Sequence, residues 1–366
     1  MKRSVETSSK TGEIRPYVPK RKRRLESQPE SVEEKFQTDA VSVKQSLYIL
    51  NPHPLHFDGL DGLPRRCVAK FVQKDKVNKV RWSLPHAHLL ASAGADGILR
   101  IYDALRTKDC VREYRHDGAV RDFQWSGDGQ KIASGGYDKK LRVWDVEKGV
   151  KLHDFAHDNY VTCLRYHPTD PHLLLAGMHQ GGLVLWDCRA KEKTKSYPRF
   201  FGQVQDVEFL SDPAQFLAAS DYTVRNSADK AIMVMDVDSG CVLSNQIYQE
   251  AYTPTALRVL GQHFVAQTNG DYIAIFSAKS WRMNKRKRLE GHRVAGFPIQ
   301  CEFSPEGRMV ASGSSDGAMW FYDFASGNKR LVVDKAHEAA CIHVAWAGQR
   351  GVVASCGWDN MVKVWR

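Results

Sequence analysis

Short stretches of apolar and alternating residues recur along most of the chain, with Gly and Asp between them. They are clearest in residues 110–114, 120–125, 131–135 and 141–144. The first stretch alternates as a half-buried strand would, and Gly127-Asp128-Gly129 is one of the separating turns. Alternation with a period of two residues is typical of β-strands, and Gly and Asp favour tight turns. The pattern predicts a unit of four short antiparallel strands.

This four-stranded unit is repeated. Seven times an apolar strand ends in an aromatic residue or Met, followed by Asp or by a residue in its place; the endings begin at Tyr102, Trp144, Trp186, Met235, Phe276, Tyr322 and Trp365. Successive endings lie 41 to 49 residues apart. A period in this range with Trp-Asp endings is the signature of propeller blades. We therefore predict an all-β, seven-bladed β-propeller over residues 64–366.

The strand expected before the first repeat has a special role. In this type of repeat the outer strand of each blade precedes the next inner strand, and the chain stops one residue after Trp365. The last blade then lacks an outer strand of its own. Residues 66–72, ahead of the first inner strand at 77–82, can supply it. We expect this segment to complete the last blade and close the ring, which removes two exposed sheet edges.

The segment before the repeats differs in composition. The chain carries a net charge of +11, and a net +7 of this falls in residues 1–24. Residues 1–45 are rich in Ser, Glu and Lys and show no sustained apolar period. Such a segment buries too little apolar surface to offset the entropy lost on ordering. We interpret residues 1–45 as a disordered basic arm and residues 46–63 as a lead-in segment.

Five consecutive cations lie within this arm: Lys20, Arg21, Lys22, Arg23 and Arg24. Such a run on a flexible segment fits the acidic groove of a nuclear import receptor. The run also fits the phosphates of a nucleic acid. The third interpretation is a run of cations that is exposed to solvent and has no binding role. We favour import and expect a nuclear protein, with an additional cytoplasmic pool as an alternative.

A second basic run follows the fifth repeat, and its members are Lys285, Arg286, Lys287 and Arg288. We expect it in the connection between the fifth and sixth blades. One interpretation is a charged, exposed strand, because charge protects sheet edges from aggregation. The functional interpretation is contact with RNA or with an acidic protein surface, and Trp281 beside the run could stack on a base.

The remaining composition excludes several classes of chemistry. The chain has eight cysteines, none of them in a C-x-x-C pair, so it predicts neither a disulfide framework nor a zinc site. Its histidines lack companions at ligand spacing, and no Gly-rich phosphate loop opens a helix. We expect no metal and no cofactor. No apolar run approaches the length of a membrane span, so we expect no membrane association.

Two repeats contain residue types that resemble a catalytic triad. The members are His116, Ser134, Asp138 and Trp144 in the second repeat, and His337, Ser355, Asp359 and Trp365 in the seventh. A buried indole N–H needs an acceptor, which a Ser hydroxyl provides; the hydroxyl can donate to an imidazole that an Asp orients. Catalysis needs one cleft with one nucleophile, not the same set in several blades. We interpret both sets as structural tetrads and the protein as non-enzymatic.

Three residues are candidates for contact with a partner: Arg121, Tyr137 and Trp358. Tyr137 and Trp358 each precede a tetrad Asp. From there a side chain can project towards the face formed by the turns around the central channel. The alternative for each is packing within its blade. Aromatic and Arg side chains carry much of the binding energy at protein interfaces.

Specific stretches extend these expectations to a family. The repeats resemble those of WD40 proteins, and residues 287–297 (KRLEGHRVAGF), 301–305 (CEFSP) and 356–359 (CGWD) resemble the pre-mRNA-processing factor 17 family of splicing proteins. The resemblance implies a seven-bladed propeller carried on spliceosomes around the second transesterification, as a scaffold and not a catalyst. It implies spliceosomal protein partners and a monomer within a larger assembly, with RNA contact through the basic segments as an option. A general WD40 adaptor, such as a ubiquitin-ligase substrate receptor with no splicing role, is the alternative.

Overall fold

The computed structural model describes residues 63–180, 182–197, 202–221, 231–245, 247–348 and 351–366. The expected basic arm, its run of cations and nearly all of the lead-in segment lie outside the described residues, so those expectations stay predictions. The described ranges contain strands and turns and no α-helix. Accordingly, no helix in this part of the chain could cross a membrane.

Seven four-stranded antiparallel sheets make up the described fold, which confirms the predicted all-β, seven-bladed propeller. The strands of the first four blades are β2 (Val77–Trp82), β3 (Leu89–Gly94), β4 (Ile98–Asp103) and β5 (Asp109–Arg115); β6 (Val120–Trp125), β7 (Lys131–Gly136), β8 (Lys140–Asp145) and β9 (Lys151–Ala156); β10 (Val161–Tyr166), β11 (Leu173–Met178), β12 (Leu183–Asp187) and β13 (Glu192–Tyr197); and β14 (Val204–Phe209), β15 (Gln215–Ser220), β16 (Ile232–Asp236) and β17 (Val242–Ser244).

The last three blades follow the same order. Their strands are β18 (Pro254–Leu260), β19 (His263–Thr268), β20 (Tyr272–Ser277) and β21 (Met283–Glu290); β22 (Cys301–Phe303), β23 (Met309–Ser312), β24 (Met319–Asp323) and β25 (Lys329–Val333); and β26 (Cys341–Trp346), β27 (Val353–Gly357) and β28 (Met361–Trp365). The seventh blade takes its fourth strand, β1 (Cys67–Val72), from the start of the described chain.

The strand β1 joins the two ends of the ring. It pairs antiparallel with β28, with Phe71 opposite Val362 and Lys70 opposite Lys363. Beyond the ladder, the Gln73 N–H donates to the carbonyl of Asn360 at 2.8 Å. Phe71 is buried, and its ring centroid lies 4.3 Å from that of Tyr102 in the first blade. The strand therefore contributes to the packing of the first blade as well as to the edge of the seventh.

Neighbouring blades share their hydrophobic cores. The inner strands contact one another around the ring, and β2 contacts β26 where the ring closes. Leu89 and Leu99 of the first blade pack in one buried cluster with Phe123 and Trp144 of the second. The close approach explains Gly135, because a Cβ at that position would lie 2.6 Å from Cγ1 of Val161 in the third blade. Burial on both faces accounts for the continuous apolar strands in the sequence.

Because the strands of each blade are antiparallel, the loops and turns that connect them lie at two opposite faces of the propeller. In every blade the inner strand begins at the end where the second strand finishes. We name this end the upper face; it carries the loops that enter the inner strands and the turns between second and third strands. The opposite end, where inner strands finish, is the lower face. The sequence-predicted candidates for partner contact lie towards the upper face, as do the His and Asp members of both tetrads.

Candidate protein-interaction face

The tetrad of the second blade forms one continuous hydrogen-bond network. The Trp144 indole N–H donates to the Ser134 hydroxyl at 2.9 Å, and Ser134 Oγ lies 2.7 Å from His116 Nε2. His116 Nδ1 lies 2.9 Å from an Asp138 carboxylate oxygen. Burial lowers the pKa of His116, although Asp138 opposes the shift. The neutral ring thus donates to Asp138 through Nδ1 and accepts from Ser134 through Nε2.

The seventh blade contains the same arrangement. Trp365 donates to Ser355 at 2.8 Å, Ser355 lies 2.7 Å from His337 Nε2, and His337 Nδ1 lies 2.8 Å from Asp359. Asp359 also accepts the N–H of Glu338 at 3.2 Å. In both blades the Ser side chain has no exposed surface. A hydroxyl that is buried and engaged on both sides is not accessible to a substrate, so these networks hold the upper loops in place.

The third blade has an incomplete network. Ala176 occupies the position of Ser134, opposite Leu164 on the inner strand and Val184 on the next. The His157 and Trp186 rings still meet edge to face at 5.3 Å. Their atoms Nε2 and Nε1 are buried and have no hydrogen-bond partner among the residues that the structure describes. Both rings line a cavity of about 220 Å³. Burial lowers the pKa of His157 to about 4.

The first blade uses a residue that the sequence analysis missed. It has Ser92 and Asp96 but no His, and Gln73 takes the place of the imidazole. Its amide donates to Ser92 Oγ at 2.6 Å and to the Tyr102 hydroxyl at 3.1 Å, and its carbonyl accepts from Arg100 at 3.0 Å. Gln73 lies 19 residues before Ser92, close to the spacing of 18 between His116 and Ser134, so the spacing could have found it; the search for a His at that position did not.

The hydrogen-bond network of the sixth blade includes a residue of the fifth blade. His292 Nδ1 lies 2.8 Å from the Tyr322 hydroxyl, and its Nε2 accepts from the amide of Gln267 at 2.6 Å. Ser312 donates to the carbonyl of the same Gln267 at 3.1 Å. Gln267 belongs to β19, so this contact joins two blades. Sequence reasoning treated each repeat as self-contained and could not detect it.

The central channel contains a ring of ionisable side chains, one from each inner strand. Its members, in order around the ring, are Lys79, Asp122, Arg165, Asp206, Arg258, Glu302 and His343. Each member contacts the next as far as His343. For example, Arg165 lies 3.3 Å from Asp122 and 2.9 Å from Asp206. The two Asp side chains also accept backbone N–H groups, Asp122 from Leu164 at 3.0 Å and Asp206 from Leu257 at 3.0 Å.

Burial and neighbouring charges set the protonation of this ring. Burial lowers the pKa of Lys79 to about 7, although Asp122 opposes the shift. Burial opposes ionisation of Glu302, but the charges of Arg258 and Arg81 hold its pKa well below the usual value. Burial lowers the pKa of His343 to about 4, so this member is neutral near pH 7. Paired charges in this setting stabilise one arrangement of inner strands and leave no isolated acid or base.

On the upper face, three rings form a ladder across the second and third blades. Tyr137, in the turn between β7 and β8, has half of its surface exposed (50%). Its ring centroid lies 5.1 Å from that of Tyr160, which in turn lies 5.5 Å from the ring of His179. Tyr160 and His179 flank β10 and β11 of the third blade. The ladder is preorganised by ring contacts, and its two tyrosines keep hydroxyl and ring surface in solvent.

Trp358 and Arg121 are less accessible than Tyr137. Trp358 is half-buried between two neighbours: its ring centroid lies 5.0 Å from that of Phe297, and Lys76 Nζ lies 4.6 Å above the ring. Arg121 is half-buried in β6. Trp358 belongs to the seventh blade and Tyr137 to the second, with the first blade between them. The structure thus places these candidates on one face, in two separate aromatic groups.

The second basic run lies in a strand and not in a connection between blades. Lys285 to Arg288 belong to β21, the outer strand of the fifth blade. The structure thus shows the charged strand that was one of the two interpretations of the run, and not a loop, because buried Leu289 and half-buried Met283 anchor both ends of the run to β20. Arg288 forms an ion pair with Glu250 and stacks on Tyr272, with 4.6 Å from its guanidinium carbon to the ring centroid.

In the part of the chain that the structure describes, no group of three or more His, Cys, Asp or Glu side chains is arranged to hold a metal ion. The eight cysteines are all free thiols, and five of them are buried. Burial raises the pKa of Cys301 to about 12, which keeps this thiol protonated and unreactive.

The seven repeated sheets and their corner networks define a β-propeller of WD repeats, which is generally a non-catalytic scaffold fold. The sequence profile of the family "WD domain, G-beta repeat" matches five stretches that together cover more than half of the chain: 65–103, 108–145, 149–187, 283–323 and 328–366. The chain therefore belongs to the WD40 repeat family. The fourth blade and most of the fifth fall outside these matches.

Individual relatives extend the similarity across the propeller. WD repeat-containing protein 25 of Mus musculus is 33% identical over 296 residues, which is 79% of this chain and 55% of the relative. Pre-mRNA-processing factor 17 of Homo sapiens is 29% identical over 79% of this chain and 50% of its own length. The protein of the same name in Saccharomyces cerevisiae is 22% identical over 80% of this chain. The chain thus spans about half the length of the mammalian relatives it matches.

Proposed function

We propose that this protein is a non-catalytic scaffold that binds protein partners through its upper face and assembles with pre-mRNA splicing complexes in the nucleus. The observation that carries the scaffold role is the exposed aromatic ladder of Tyr137 and Tyr160. Such rings supply large contact area at low entropic cost and are enriched at binding hot spots. The catalytic-looking serines, by contrast, are buried in hydrogen-bond networks.

The proposed role in splicing rests on sequence similarity to named relatives. Two of the relatives described above carry the name pre-mRNA-processing factor, and the similarity to them covers about four-fifths of this chain. Proteins named Denticleless protein homolog match at 22% identity in Xenopus laevis, which equals the yeast processing factor and is lower than the 29% of the human one. The higher identity of the human factor favours the splicing role over that of a general adaptor. It also favours a nuclear location and a place in a larger assembly.

Affinity purification from nuclear extract tests the proposal. Tagged wild-type protein should recover splicing proteins and spliceosomal small nuclear RNAs. The Tyr137→Ala/Tyr160→Ala variant should lose most of them while keeping its melting temperature. Leu243→Ala is the matched control, because Leu243 is an exposed apolar side chain (41%) on the outer strand of the fourth blade. Recovery of ubiquitin-ligase subunits without splicing proteins would favour the adaptor alternative and contradict the splicing role.

The location needs its own experiment. Replacing Lys20 to Arg24 by Ala should shift a fluorescently tagged protein from the nucleus to the cytoplasm, because an import receptor recognises the cations. Replacing the four cations of the second run, Lys285 to Arg288, serves as the comparison. An unchanged nuclear fraction in the first variant would contradict import through the arm.

A further inference from the structure

A groove lies on the rim between the fifth and sixth blades, separate from the upper-face ladder. It encloses about 420 Å³. The buried Ile275 and Phe276 line it from β20, and the half-buried Met283 and Phe324 line it from β21 and from the end of β24. This volume is near the lower end for small-ligand pockets, about 300–1,000 Å³. The groove has room for one large apolar side chain of a partner.

The strand beside the groove bulges outward. In the ladder between β20 and β21, Ala274 pairs with Arg288 and Phe276 pairs with Met283. Two residue steps on β20 therefore correspond to five on β21, so three extra residues leave the ladder. The side-chain oxygen of Asn284 accepts the N–H of Arg286 at 3.0 Å and closes the bulge locally. Bulges of this kind redirect side chains at sheet edges.

Cations lie at the groove and beside it. Arg282 lines the groove, and Lys285 and Arg286 lie in the bulge between the lining residues Asn284 and Lys287. All three cations are exposed, and in the described ranges none of them has an ion-pair partner. Lys287 is held differently, since its Nζ donates to the carbonyl of Ala325 at 2.7 Å. The titratable groups that line the groove are His263, Arg282 and Lys287, without any carboxylate. An apolar groove with an entirely basic border is complementary to an anion that carries an apolar group.

From this complementarity we infer that the rim groove binds an acidic peptide segment of a protein partner, which inserts one aliphatic or aromatic side chain between the fifth and sixth blades. Carboxylates that flank the inserted side chain pair with Arg282, Lys285 and Arg286. Ion pairs at an exposed rim contribute modestly and steer association, while the buried anchor supplies most of the affinity.

The lining favours a peptide over RNA. Binding of unpaired bases uses open aromatic faces on which the bases stack. Two phenylalanines line the groove, and Phe276 is fully buried. Phe324 already has Lys287 Nζ 5.1 Å from its centroid, and its ring contacts His263 at 5.5 Å and Phe303 at 5.2 Å. The other lining side chains are largely apolar and offer few hydrogen bonds to base edges.

Fluorescence anisotropy with the full chain tests the inference. The probes are five labelled 12-residue peptides of Asp and Glu with a single central Leu, Ile, Met, Phe or Trp, and a sixth with central Ser. A labelled 12-nucleotide oligouridine is the RNA probe. At least one anchored peptide should bind saturably and about 10-fold more tightly than the Ser peptide. Raising the salt concentration should weaken binding, because the flanking pairs are exposed.

Two variants locate the site. Lys285→Glu/Arg286→Glu should weaken peptide binding at least 10-fold, and its exposed positions leave folding intact. The matched control is Lys74→Glu/Lys148→Glu, which makes the same change in net charge at exposed positions elsewhere. Phe324→Ser should remove the advantage of the anchored peptides over the Ser peptide, with circular dichroism to verify the fold.

Three results would overturn the inference. The first is no saturable binding of any anchored peptide up to about 1 mM. The second is equal binding of the anchored and Ser peptides, which indicates charge alone. The third is binding of oligouridine that the charge reversal abolishes while peptide binding is absent, which assigns the run to RNA. The upper-face variants do not change this groove, so its failure is distinct from a failure of the scaffold proposal.

Discussion

Completing the network of the third blade should stabilise the protein. In Ala176→Ser, the new hydroxyl takes the position that Ser134 holds in the second blade. There it can accept from the indole of Trp186 and donate to His157. Trp186 Nε1 and His157 Nε2 are now buried, with no hydrogen-bond partner among the described residues. Each new hydrogen bond contributes about 0.5–1.5 kcal/mol net, so we expect a gain of about 1–2 kcal/mol after the entropy of the side chain is deducted.

The reverse change in the second blade supplies the comparison. Ser134→Ala leaves His116 Nε2 and Trp144 Nε1 without the bonds of 2.7 and 2.9 Å that they now make. Two buried unsatisfied groups should cost about 2–4 kcal/mol together. Ala266→Ser is the matched control, because Ala266 is the equivalent position of the fifth blade and Phe276, which stands where Trp144 does in the second, has no N–H to donate. We expect this hydroxyl to be neutral or destabilising.

Equilibrium unfolding in urea, followed by tryptophan fluorescence, measures all three changes as shifts in midpoint at constant slope. The side-chain N–H resonance of Trp186 in a ¹⁵N-labelled sample gives a readout independent of stability. It should move towards the position of the Trp144 resonance in Ala176→Ser. Suppose that Ser134→Ala destabilises as expected, while Ala176→Ser neither stabilises the protein nor shifts this resonance. A hydroxyl at position 176 then does not bond to Trp186 and His157, and the explanation of the third blade is wrong.

Three further perturbations follow from the same structure. A chain that begins at Asp75 lacks β1 and should aggregate or melt well below one that begins at Pro64, because the edge of β28 is exposed; equal melting temperatures in calorimetry would contradict closure. Arg165→Leu should destabilise by about 3–5 kcal/mol in urea unfolding, since two buried carboxylates lose their partner, and a loss under 1 kcal/mol would contradict the ring's role. Burial lowers the pKa of His292 and of His343 to about 4. As the pH falls from about 6.5 towards 4, these histidines are protonated in the unfolded chain before they are in the folded one, so the free energy of unfolding falls by about 1.4 kcal/mol per pH unit for each. Urea unfolding at a series of pH values should show this loss, and His343→Gln should reduce the dependence of stability on pH.

The sequence predicted the fold because its signals are local and repeated. The inner strand at 120–125 and the tetrad of His116 and Trp144 both follow from periodicity and from the needs of a buried indole. The fold of the fourth and fifth blades also followed, although they lack the corner residues, because the apolar spacing persists there. These elements depend on neighbours within about forty residues of one another.

The rest depends on residue types and contacts that the repeat pattern does not encode. Gln73 stands at nearly the tetrad spacing from Ser92, 19 residues against 18, but it carries an amide in place of the imidazole. Gln267 contacts His292 across a blade boundary. An exposed strand at Lys285 to Arg288 was one of two interpretations, but the bulge between Met283 and Leu289 had no signal in the sequence. Such pairings are set by the three-dimensional arrangement of whole blades.

The ring of ionisable side chains in the channel has a consequence for blade number. Its signs alternate from Lys79 through Glu302, and strict alternation is arithmetically impossible around a circle of seven. His343 resolves the conflict, because it is uncharged near neutral pH and stands between an anion and a cation. Deletion of the seventh repeat would remove His343 and leave six members of alternating sign, whereas deletion of the second repeat would place Lys79 beside Arg165. The neutral His343 is therefore what allows a ring of seven to alternate in charge without two like charges in contact.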